Sequence, residues 1–367
     1  MIKVLFVNHV AEMSGAEHSL LTLVRALDRT SIEPHAAIPH TDSTLGRALA
    51  DAGVAVHPVR QLGLLRKLDP TSPIRAHDGA AALLRVCRDL RPDVVHANSD
   101  TAMIYAAGLW RSGPWRIVWH MRDLPHMGIV RQALARWLQR RSHARIAVSR
   151  AVADRYALAT GPHDRVIPNG VELARFRPGA PDRGLRAELG VPPNRPLALC
   201  IGQWVAWKRL TDFTGLPGAE YDRLLVTYPP PGTRAQPGVS ARSGLHVLGY
   251  QSDIERVYAA ADMLVHPAVG EAYGRTVAEA LACGLPVVAY DQGGPAELVL
   301  HEVSGLLVPP GDTRALAAAV WRLALDPELR ARLVKGAVAG RDRLSSEAHA
   351  AAVQALYHDL VCGGGAA

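Results

Sequence analysis

The stretch Val265–Gly294, VHPAVGEAYGRTVAEALACGLPVVAYDQGG, carries two glutamates, Glu271 and Glu279, with seven residues between them. Apolar residues lead into this pair, and a second apolar run, Val287–Tyr290, follows it. The order predicts a strand, a loop that holds Glu271, a helix with Glu279 about one turn inside it, and a second strand. Strand–helix–strand units of this kind form a parallel sheet with helices on its faces.

Two kinds of group would meet in front of the predicted helix. Both carboxylates can face one crevice, where they can accept hydrogen bonds from sugar hydroxyls. The first N–H groups of the helix, at Gly274–Thr276, point to the same place, and a helix N-terminus attracts phosphate through its free N–H groups and its dipole. Together these groups predict a site for a phosphorylated sugar.

Length and composition indicate two globular domains, since the chain has 367 residues of which 49% are apolar. The formal net charge of +7 suits phosphorylated ligands, an anionic membrane surface, or an arginine-rich surface without a partner. No apolar run reaches the roughly 18 residues that cross a bilayer, and the opening MIKVLFVNHV predicts a first strand instead of a signal peptide. The four cysteines stand far apart, which fits reduced thiols, so we expect a cytoplasmic protein.

Apolar strands and amphipathic helices alternate through both halves of the chain, which predicts two doubly wound α/β domains. We expect a first domain over residues 1–168, a hinge over 169–178, and a second domain over 179–345. The last helix, over about 346–367, either packs locally or returns to the first domain. Ligands bind outside the carboxyl ends of the strands in such sheets, so two facing domains would leave one cleft between them.

Polar groups follow several of the predicted strands. The loop Asn8–Glu17 contains Gly15, which lets the backbone approach a ligand, although a plain turn also fits. His120 stands at the end of another strand, where it could donate to a sugar hydroxyl or to a leaving oxygen, or be purely structural. Lys208 and Arg209 follow the first strand of the second domain, and cations there can neutralise a diphosphate.

Metal and cofactor motifs are missing from the sequence. The 16 histidines form no HExxH motif and no cysteine/histidine ligand spacing, so a zinc site is not expected. No acidic pair stands where it could hold a divalent metal beside a diphosphate. We therefore expect no cofactor and no metal requirement. Farther along the chain, Ser252 and Glu255 predict a capping box for a helix that begins at Asp253.

These motifs together resemble the retaining glycosyltransferases of the GT-B fold, family 4, over almost the whole chain. In the first half the resemblance includes SGAE at Ser14–Glu17, WHMRD at Trp119–Asp123 and VIPNGVELARF at Val166–Phe176. In the second half it includes GQWVAWK and EAYGRTVAE. The two glutamates with their flanking residues are the most specific part of the match.

The resemblance implies a role for each matching residue. Glu271 would contact hydroxyls of the donor sugar, Lys208 would bind the diphosphate, and His120 would reach the donor from the first domain. These three would be the catalytic residues. The other donor-binding residues would be Gly15, Gln203, Arg209, Val247, Gly249, Tyr250, Tyr273, Gly274, Arg275, Thr276 and Glu279, the last of which would bind the ribose. The candidates on the acceptor side are Asn98, Ser99, Arg122 and Asp123.

The chain departs from the family pattern at three places. Gln203 stands where family members often carry arginine, and Arg209 replaces the glycine that usually follows the lysine. A Gly-rich turn that is common after the next strand is replaced by Thr227, Tyr228 and Pro229. These changes bear on the charge around the diphosphate and on the contacts to the base.

The sequence thus favours a retaining enzyme that moves a hexosyl group from a UDP- or GDP-type sugar to an acceptor hydroxyl. The acceptor could be a sugar, a cyclitol, a natural product or a lipid-linked glycan. Two alternatives use the same fold, namely a sugar-nucleotide epimerase and a non-catalytic nucleotide-sugar-binding protein. No nucleic-acid partner is expected, a dehydrogenase is disfavoured because no GxGxxG opens either domain, and the oligomeric state is left open.

The segment Gly128–Arg145 allows two interpretations. It is rich in arginine and carries Val130, Leu134, Trp137 and Leu138 at helical spacing. The apolar side could pack on the core with the arginines in water. Alternatively, the helix could lie on an anionic membrane, at the inner face, and present a lipid acceptor.

Overall fold

The computed structural model describes residues 1–63, 72–125, 128–158, 161–227 and 244–363. The chain divides into two compact units. Unit 1 consists of Met1–Gly170 together with Ser346–Ala367, and unit 2 consists of Val171–Ser345. The boundary thus falls within the segment in which the sequence predicts a hinge, and the last helix belongs to unit 1.

Unit 1 contains a parallel sheet with helices between its strands. The strands are β1 (Ile2–Val7), β2 (Ile32–Ile38), β3 (Ala55–Pro58), β4 (Val94–Ala97), β5 (Arg116–Met121), β6 (Ala144–Ala147) and β7 (Asp164–Val166). The helices are α1 (Gly15–Ala26), α2 (Thr44–Asp51), α3 (Ser72–Leu90), α4 (Asp100–Ala107), α5 (Ile129–Gln139) and α6 (Arg150–Arg155). In the described residues the strand order is β3-β2-β1-β4-β5-β6-β7.

Unit 2 repeats this architecture. Its strands are β8 (Leu197–Ile201), β9 (Asp222–Val226), β10 (Leu245–Leu248), β11 (Met263–His266), β12 (Val287–Tyr290) and β13 (Gly305–Val308). Its helices are α7 (Arg183–Glu188), α8 (Leu210–Thr214), α9 (Ile254–Ala260), α10 (Arg275–Ala282), α11 (Gly293–Leu298), α12 (Thr313–Leu325) and α13 (Pro327–Ala339). The order of the described strands is β10-β9-β8-β11-β12-β13, and all their pairings are parallel. The prediction of two doubly wound α/β domains is confirmed.

The central strands are apolar on both faces because helices cover both sides of each sheet. In β1, the side chains from Val4 to Val7 are fully buried, although their successive positions point to opposite faces. The last helix, α14 (Ser346–Cys362), lies against α1. Its residues Val353, Leu356 and Leu360 join the apolar core of unit 1, which explains why this helix belongs with the first unit.

Several details differ from the sequence prediction. The short strands β7 and β13 were not predicted, and β7 contains only one apolar residue. The capping box at Ser252 is wrong: Asp253 is the N-cap, and Glu255 instead binds Arg175, with 2.8 Å between Oε2 and Nη2. Gly284 follows α10 with a φ of +80°, as a glycine after a helix end is expected to do.

Tyr228 and Pro229, in the departure from the family pattern after β9, lie outside the described residues. In the part of the chain that the structure describes, no helix combines the length and the apolar character needed to cross a bilayer.

Candidate functional site

The polar groups of unit 2 meet where the strand order of its sheet reverses. The chain runs from β8 outward to β9 and β10, and then returns to β11 on the other side of β8. At such a point the loops that leave two neighbouring parallel strands diverge and leave a crevice for ligands. One loop, 202–209, carries Lys208, and the other, 267–274, carries Glu271.

Lys208 and Glu271 form an ion pair in this crevice. The Nζ of Lys208 donates to Oε2 of Glu271, and only 16% and 13% of the two side chains are exposed. The Nε2 of His266, the last residue of β11, lies 3.4 Å from the same carboxylate oxygen. The indole of Trp207 lies beside the cation, 4.4 Å from Nζ to the ring centre. A lysine and a glutamate far apart in sequence are thus joined by adjacent strands.

This environment fixes the charge of the pair. Burial alone would raise the pKa of Glu271, but the charge of Lys208 and the contact with His266 outweigh burial and hold that pKa at about 2. Burial also lowers the pKa of His266, so its imidazole is neutral at neutral pH. The crevice therefore holds a carboxylate and an ammonium group that a charged ligand can separate.

Two glycines support the loop that carries Glu271. The N–H of Gly294 donates to the carbonyl oxygen of Glu271 at 2.9 Å. A Cβ on Gly293, whose φ is +65°, would lie 2.4 Å from that oxygen, and a Cβ on Gly294 would lie 2.3 Å from Cα of Tyr273. No larger residue fits at either position without moving the loop.

Glu279 lies one turn inside α10, as the sequence predicts, and is 5% exposed. Arg275 donates through Nε to its Oε1 at 2.6 Å, and the hydroxyl of Tyr258 donates to its Oε2 at 2.8 Å. Burial raises the pKa of Tyr258 well above its ordinary value, so the phenol keeps its proton. Gly274 precedes the helix with a φ of +90° and, as a glycine, has no side chain that could cap the first N–H groups.

The remaining residues predicted to bind the donor occupy different surroundings. The guanidinium of Arg209 is held by Asp212, with 2.7 Å between Nε and Oδ2, and Asp212 also accepts from the hydroxyl of Tyr290 at 2.7 Å. Arg209 is thus paired with Asp212, whereas Lys208 is paired with Glu271. Gln203 is partly exposed in the loop after β8. The exposed residues at the end of β10, two strands from β8, are Val247, Gly249 and Tyr250.

In unit 1, the predicted residues His120, Arg122 and Asn98 belong to one buried hydrogen-bond network. The Nε of Arg122 donates to Oδ1 of Asn98 at 2.9 Å, and its Nη2 lies 3.2 Å from Nδ1 of His120. Burial lowers the pKa of Arg122 to about 10, which still leaves it charged at neutral pH. Ser99 caps α4 by accepting from the N–H of Ala102 at 3.1 Å.

Two other residues predicted in unit 1 have different surroundings. Asp123 is exposed just after β5. Gly15 lies in the first turn of α1, and a Cβ added there would meet no atom within 4 Å. The chain itself therefore does not require a glycine at this position.

Two family models match separate parts of the chain. One, described as Glycosyltransferase Family 4, matches residues 13–175. The other, described as Glycosyl transferases group 1, matches residues 239–339, which include Lys208's partner Glu271 and helix α10. The chain belongs to the group 1, family 4 glycosyltransferases. It is therefore a transferase of EC class 2.4.

Curated relatives of this glycosyltransferase carry two kinds of name. A GDP-mannose-dependent alpha-mannosyltransferase of Mycobacterium tuberculosis is 28% identical over 344 residues, which cover 90% of this chain and 89% of the relative. A D-inositol 3-phosphate glycosyltransferase of Saccharomonospora viridis is 34% identical over 217 residues, which cover 54% of this chain and 50% of that relative. The second match thus spans half of the longer protein.

Solved structures show the same fold. Anabaena HepE in complex with UDP and glucose superposes with a TM-score of 0.80 at 22% identity, covering 97% of this chain and 99% of that one. Sucrose-phosphate synthase from Thermosynechococcus elongatus superposes with a TM-score of 0.80 at 20% identity, covering 99% and 100%. The predicted GT-B fold is confirmed.

Several residues of this glycosyltransferase's polar clusters were missed by the sequence reasoning. His266 ends a strand just as His120 nearly does, and that position is the signal that could have revealed it. His96, the penultimate residue of β4 as His120 is of β5, carries the same signal. Tyr258 carries no local signal, because its partner Glu279 is 21 residues away. Contacts of that separation follow from the packing of the elements and leave no trace in a local pattern.

A cavity of about 520 Å³ lies elsewhere in unit 2, at the amino ends of β11 and β12. It is lined by residues that precede those strands, such as Asp262 and Pro286, and by α13 residues such as Lys335. Neither Lys208 nor Glu271 lines it. Its size does not make it the reaction site, because the ion pair and the N-terminus of α10 lie at the carboxyl ends of the strands.

Proposed function

We propose that this glycosyltransferase moves a hexosyl group from a nucleoside-diphosphate sugar to an acceptor hydroxyl with retention of the anomeric configuration. The observation that carries the proposal is the ion pair of Lys208 and Glu271 at the strand reversal of unit 2, with α10 beginning four residues after Glu271. It combines a cation, a carboxylate and the first N–H groups of a helix in one loop cluster. A diphosphate and a sugar need these three kinds of group.

Donor binding would exchange the partners of this ion pair. The diphosphate would take the ammonium of Lys208 and the N–H groups at Gly274–Thr276, which releases the carboxylate of Glu271 for hydroxyls of the sugar. The pKa of about 2 keeps Glu271 ionised before the donor binds, and the released carboxylate would act as an acceptor of hydrogen bonds. Glu279, already fixed by Tyr258, would accept from the ribose.

The reaction would follow a same-face course. The acceptor oxygen bonds to the anomeric carbon on the side from which the diphosphate leaves, the carbon–oxygen bond to the β-phosphate breaks, and the departing phosphate oxygen takes the acceptor's proton. Glu271 contacts Lys208 and therefore belongs to the leaving-group side, which does not suit a nucleophile on the opposite face. Lys208 and the helix N–H groups would stabilise the developing charge without a metal.

The donor test starts from the relatives. Because the mannosyltransferase of M. tuberculosis matches this chain along most of its length, GDP-mannose is the first donor to assay, followed by other GDP- and UDP-sugars. The acceptor panel includes inositol phosphates, free sugars and lipid-linked glycans. NMR of the product's anomeric centre reports retention, and an inverted product would refute the same-face course.

Matched variants test the site. We expect Glu271→Ala to lower the transfer rate at least about 100-fold, whereas the exposed Glu328→Ala should leave it unchanged. Full activity of Glu271→Ala would refute the proposed role. Conversion of the donor without an acceptor would favour the epimerase, and tight binding without turnover would favour a non-catalytic binding protein.

We also propose that α5 contacts an anionic membrane. The side chains of Ile129 and Val130 are 88% and 84% exposed, and Leu134 and Trp137 are 39% and 40% exposed. Between Asp123 and Asp154 the sequence contains six arginines and no acidic residue. Exposed apolar groups beside arginines fit the boundary between lipid headgroups and acyl chains, where each cation contributes about 1 kcal/mol on an anionic surface.

Vesicle co-sedimentation tests this contact. We expect binding to phosphatidylglycerol vesicles that is lost in high salt and weakened by Trp137→Ala. The control is Trp321→Ala, which removes a tryptophan of similar exposure, 47%, from α12 in unit 2. Equal binding to neutral phosphatidylcholine, or no binding to either, would leave a water-soluble acceptor as the better proposal.

A further inference from the structure

The buried network of unit 1 extends well beyond the residues that the sequence indicates. The Nε2 of His96 lies 3.1 Å from Nδ1 of His120, and Nδ1 of His96 lies 2.6 Å from the hydroxyl of Tyr357 in α14. His349, also in α14, has its Nδ1 2.6 Å from the carbonyl oxygen of Pro168. Each of these imidazoles is at most 4% exposed.

All three imidazoles are neutral at neutral pH. Burial, followed by the charge of Arg122, lowers the pKa of His96 and of His120 well below the ordinary value of 6.5. The same two causes lower the pKa of His349 to about 4. Each ring therefore carries one N–H and one bare nitrogen, and the contacts decide which nitrogen is which.

Arg122 decides the arrangement for His120. A guanidinium only donates, so the contact at 3.2 Å makes Nδ1 of His120 an acceptor. The Nε2 of His96, at 3.1 Å from the same atom, must then donate as well, and the two donors share one lone pair. His120 consequently carries its proton on Nε2.

The direction of the next hydrogen bond, between Tyr357 and His96, follows from the tautomer of His96. Since His96 holds its proton on Nε2, its Nδ1 accepts, and Tyr357 must donate to it. Burial raises the pKa of Tyr357 well above its ordinary value, so the phenol has a proton to donate. The reverse direction would set the N–H of His120 against the N–H of Arg122.

His349 is fixed in the opposite sense. The carbonyl of Pro168 can only accept, so Nδ1 of His349 carries the proton and its Nε2 is bare. The rings of His120 and His349 are neighbours, with centroids 6.2 Å apart. Neither Nε2 makes a hydrogen bond to any described residue, although both atoms are buried.

We propose that Arg122, His96 and Tyr357 act as positioning residues that hold His120 as the Nε2–H tautomer, while Pro168 holds His349 as the Nδ1–H tautomer. The two neighbouring rings then offer one hydrogen-bond donor and one acceptor, the combination that a single hydroxyl group requires. The ligand class is a sugar hydroxyl, and this assignment rests on the proposed transferase function. The tautomers themselves do not depend on that function.

NMR of the ligand-free full-length protein with ¹⁵N-labelled histidine tests the proposal at pH 7. Long-range correlations between ring protons and nitrogens distinguish the two tautomers, and the variants His120→Gln and His349→Gln assign the signals. We expect His120 to be protonated on Nε2 and His349 on Nδ1. Protonation of His120 on Nδ1, or the same tautomer for both rings, would overturn the proposal.

A variant of the selecting residue gives the second test. In Arg122→Met both directions of the hydrogen-bond chain become possible, so His120 should show a mixture of tautomers while His349, held by Pro168, stays unchanged as the internal control. An unaltered His120 in a folded variant would contradict the proposal. If this variant does not fold, the wild-type spectrum still decides, because it must show the two opposite tautomers.

Activity provides a separate readout. If the transferase function holds, the kcat/KM of Arg122→Met should fall about tenfold, the loss expected for one hydrogen bond to a hydroxyl, and Arg122→Lys should recover part of it by restoring a donor. If the enzyme is active but the tautomers differ from those proposed, only the assignment of the tautomers is rejected. Correct tautomers without transferase activity would reject only the proposed function.

Discussion

The ion pair of Lys208 and Glu271 should stabilise unit 2 by far more free energy than an exposed ion pair does. Removal of its cation tests this expectation. In Lys208→Met the carboxylate of Glu271 keeps its burial, which raises its pKa, and loses the charge that holds that pKa at about 2. The difference between about 2 and the ordinary 4.5 is the net effect of burial, Lys208 and His266, and it corresponds to roughly 3 kcal/mol, which sets the order of magnitude of the coupling. Exposed ion pairs contribute only about 0.2–1 kcal/mol.

A double-mutant cycle isolates this coupling. The variants are Lys208→Met, Glu271→Gln and their combination, and the measurement is hydrogen exchange at pH 7 in the amides of β11 and α10, which reports the opening free energy of unit 2. We expect Lys208→Met to speed exchange there by on the order of 100-fold, which is the rate equivalent of that coupling. Adding Glu271→Gln should reverse most of the effect, since no buried charge is then left unpaired.

The neighbouring cation provides the control. Arg209→Met removes a guanidinium that is bound to Asp212, so it should leave the coupling between Lys208 and Glu271 unchanged. A coupling energy below about 1 kcal/mol would refute the reasoning, because the pair would then behave as a solvated one. An equal effect of the Arg209 and Lys208 variants would show that the general charge of the loop matters, and not the contact.

Three further predictions follow from individual contacts. Gly294→Ala should destabilise unit 2 by more than about 2 kcal/mol in thermal unfolding, because its Cβ would lie 2.3 Å from Cα of Tyr273; an unchanged melting temperature would refute the clash. Tyr258→Phe should weaken nucleotide binding about tenfold in calorimetry, since Glu279 loses a hydrogen bond that fixes it. An unchanged affinity would contradict the proposed contact between Glu279 and the ribose. The pKa of His349 is about 4 in the folded protein and 6.5 in the unfolded chain, so the unfolded state takes up the proton first as the pH drops. The free energy of unfolding should therefore fall between pH 6.5 and pH 4, by up to about 1.4 kcal/mol per pH unit from this group. His349→Gln should remove this contribution to the pH dependence, as measured by urea unfolding at several pH values.

The sequence predicts those parts of the molecule that depend on neighbours along the chain. The alternation of apolar strands and helices follows from local periodicity, and Glu279 lies one turn inside α10 because it is four positions after the helix start at Arg275. Lys208 was predicted at a strand end for the same reason. Its hydrogen bond to Glu271 was not, because that contact depends on β8 and β11 being neighbours, which strand order decides and composition does not.

The unit 1 network shows where such prediction ends. His120 and Arg122 belong to one recognisable motif, but Tyr357 reaches His96 from a helix 261 residues farther along the chain. Nothing in the amphipathic pattern of α14 marks this tyrosine as polar in function, since it also belongs to the apolar core of unit 1. The tautomer of His120 therefore follows from the assembled structure, in which Arg122 sets the direction of the hydrogen bonds that link His120, His96 and Tyr357.

The two units accommodate buried charge in different ways, and the difference bears on what each can do. In unit 2 Lys208 contacts its counterion directly, and in the proposed reaction a diphosphate would replace the carboxylate as its partner. In unit 1 Arg122 donates to neutral acceptors, among them Asn98 and Asn169. Its charge is connected to Glu17 through two amides, with Asn98 donating to Asn8 at 3.0 Å and Asn8 donating to Glu17 at 3.0 Å.

Those amides leave no partner to exchange. Each carbonyl points towards Arg122 and each NH₂ towards Glu17, so the dipoles of Asn98 and Asn8 favour both charges at once. Displacing any member would leave a buried polar group unsatisfied, at a cost of about 1–3 kcal/mol. The proposed donor site of unit 2 would therefore change partners when a donor binds, whereas the unit 1 network would keep His120 in one tautomer before any substrate arrives.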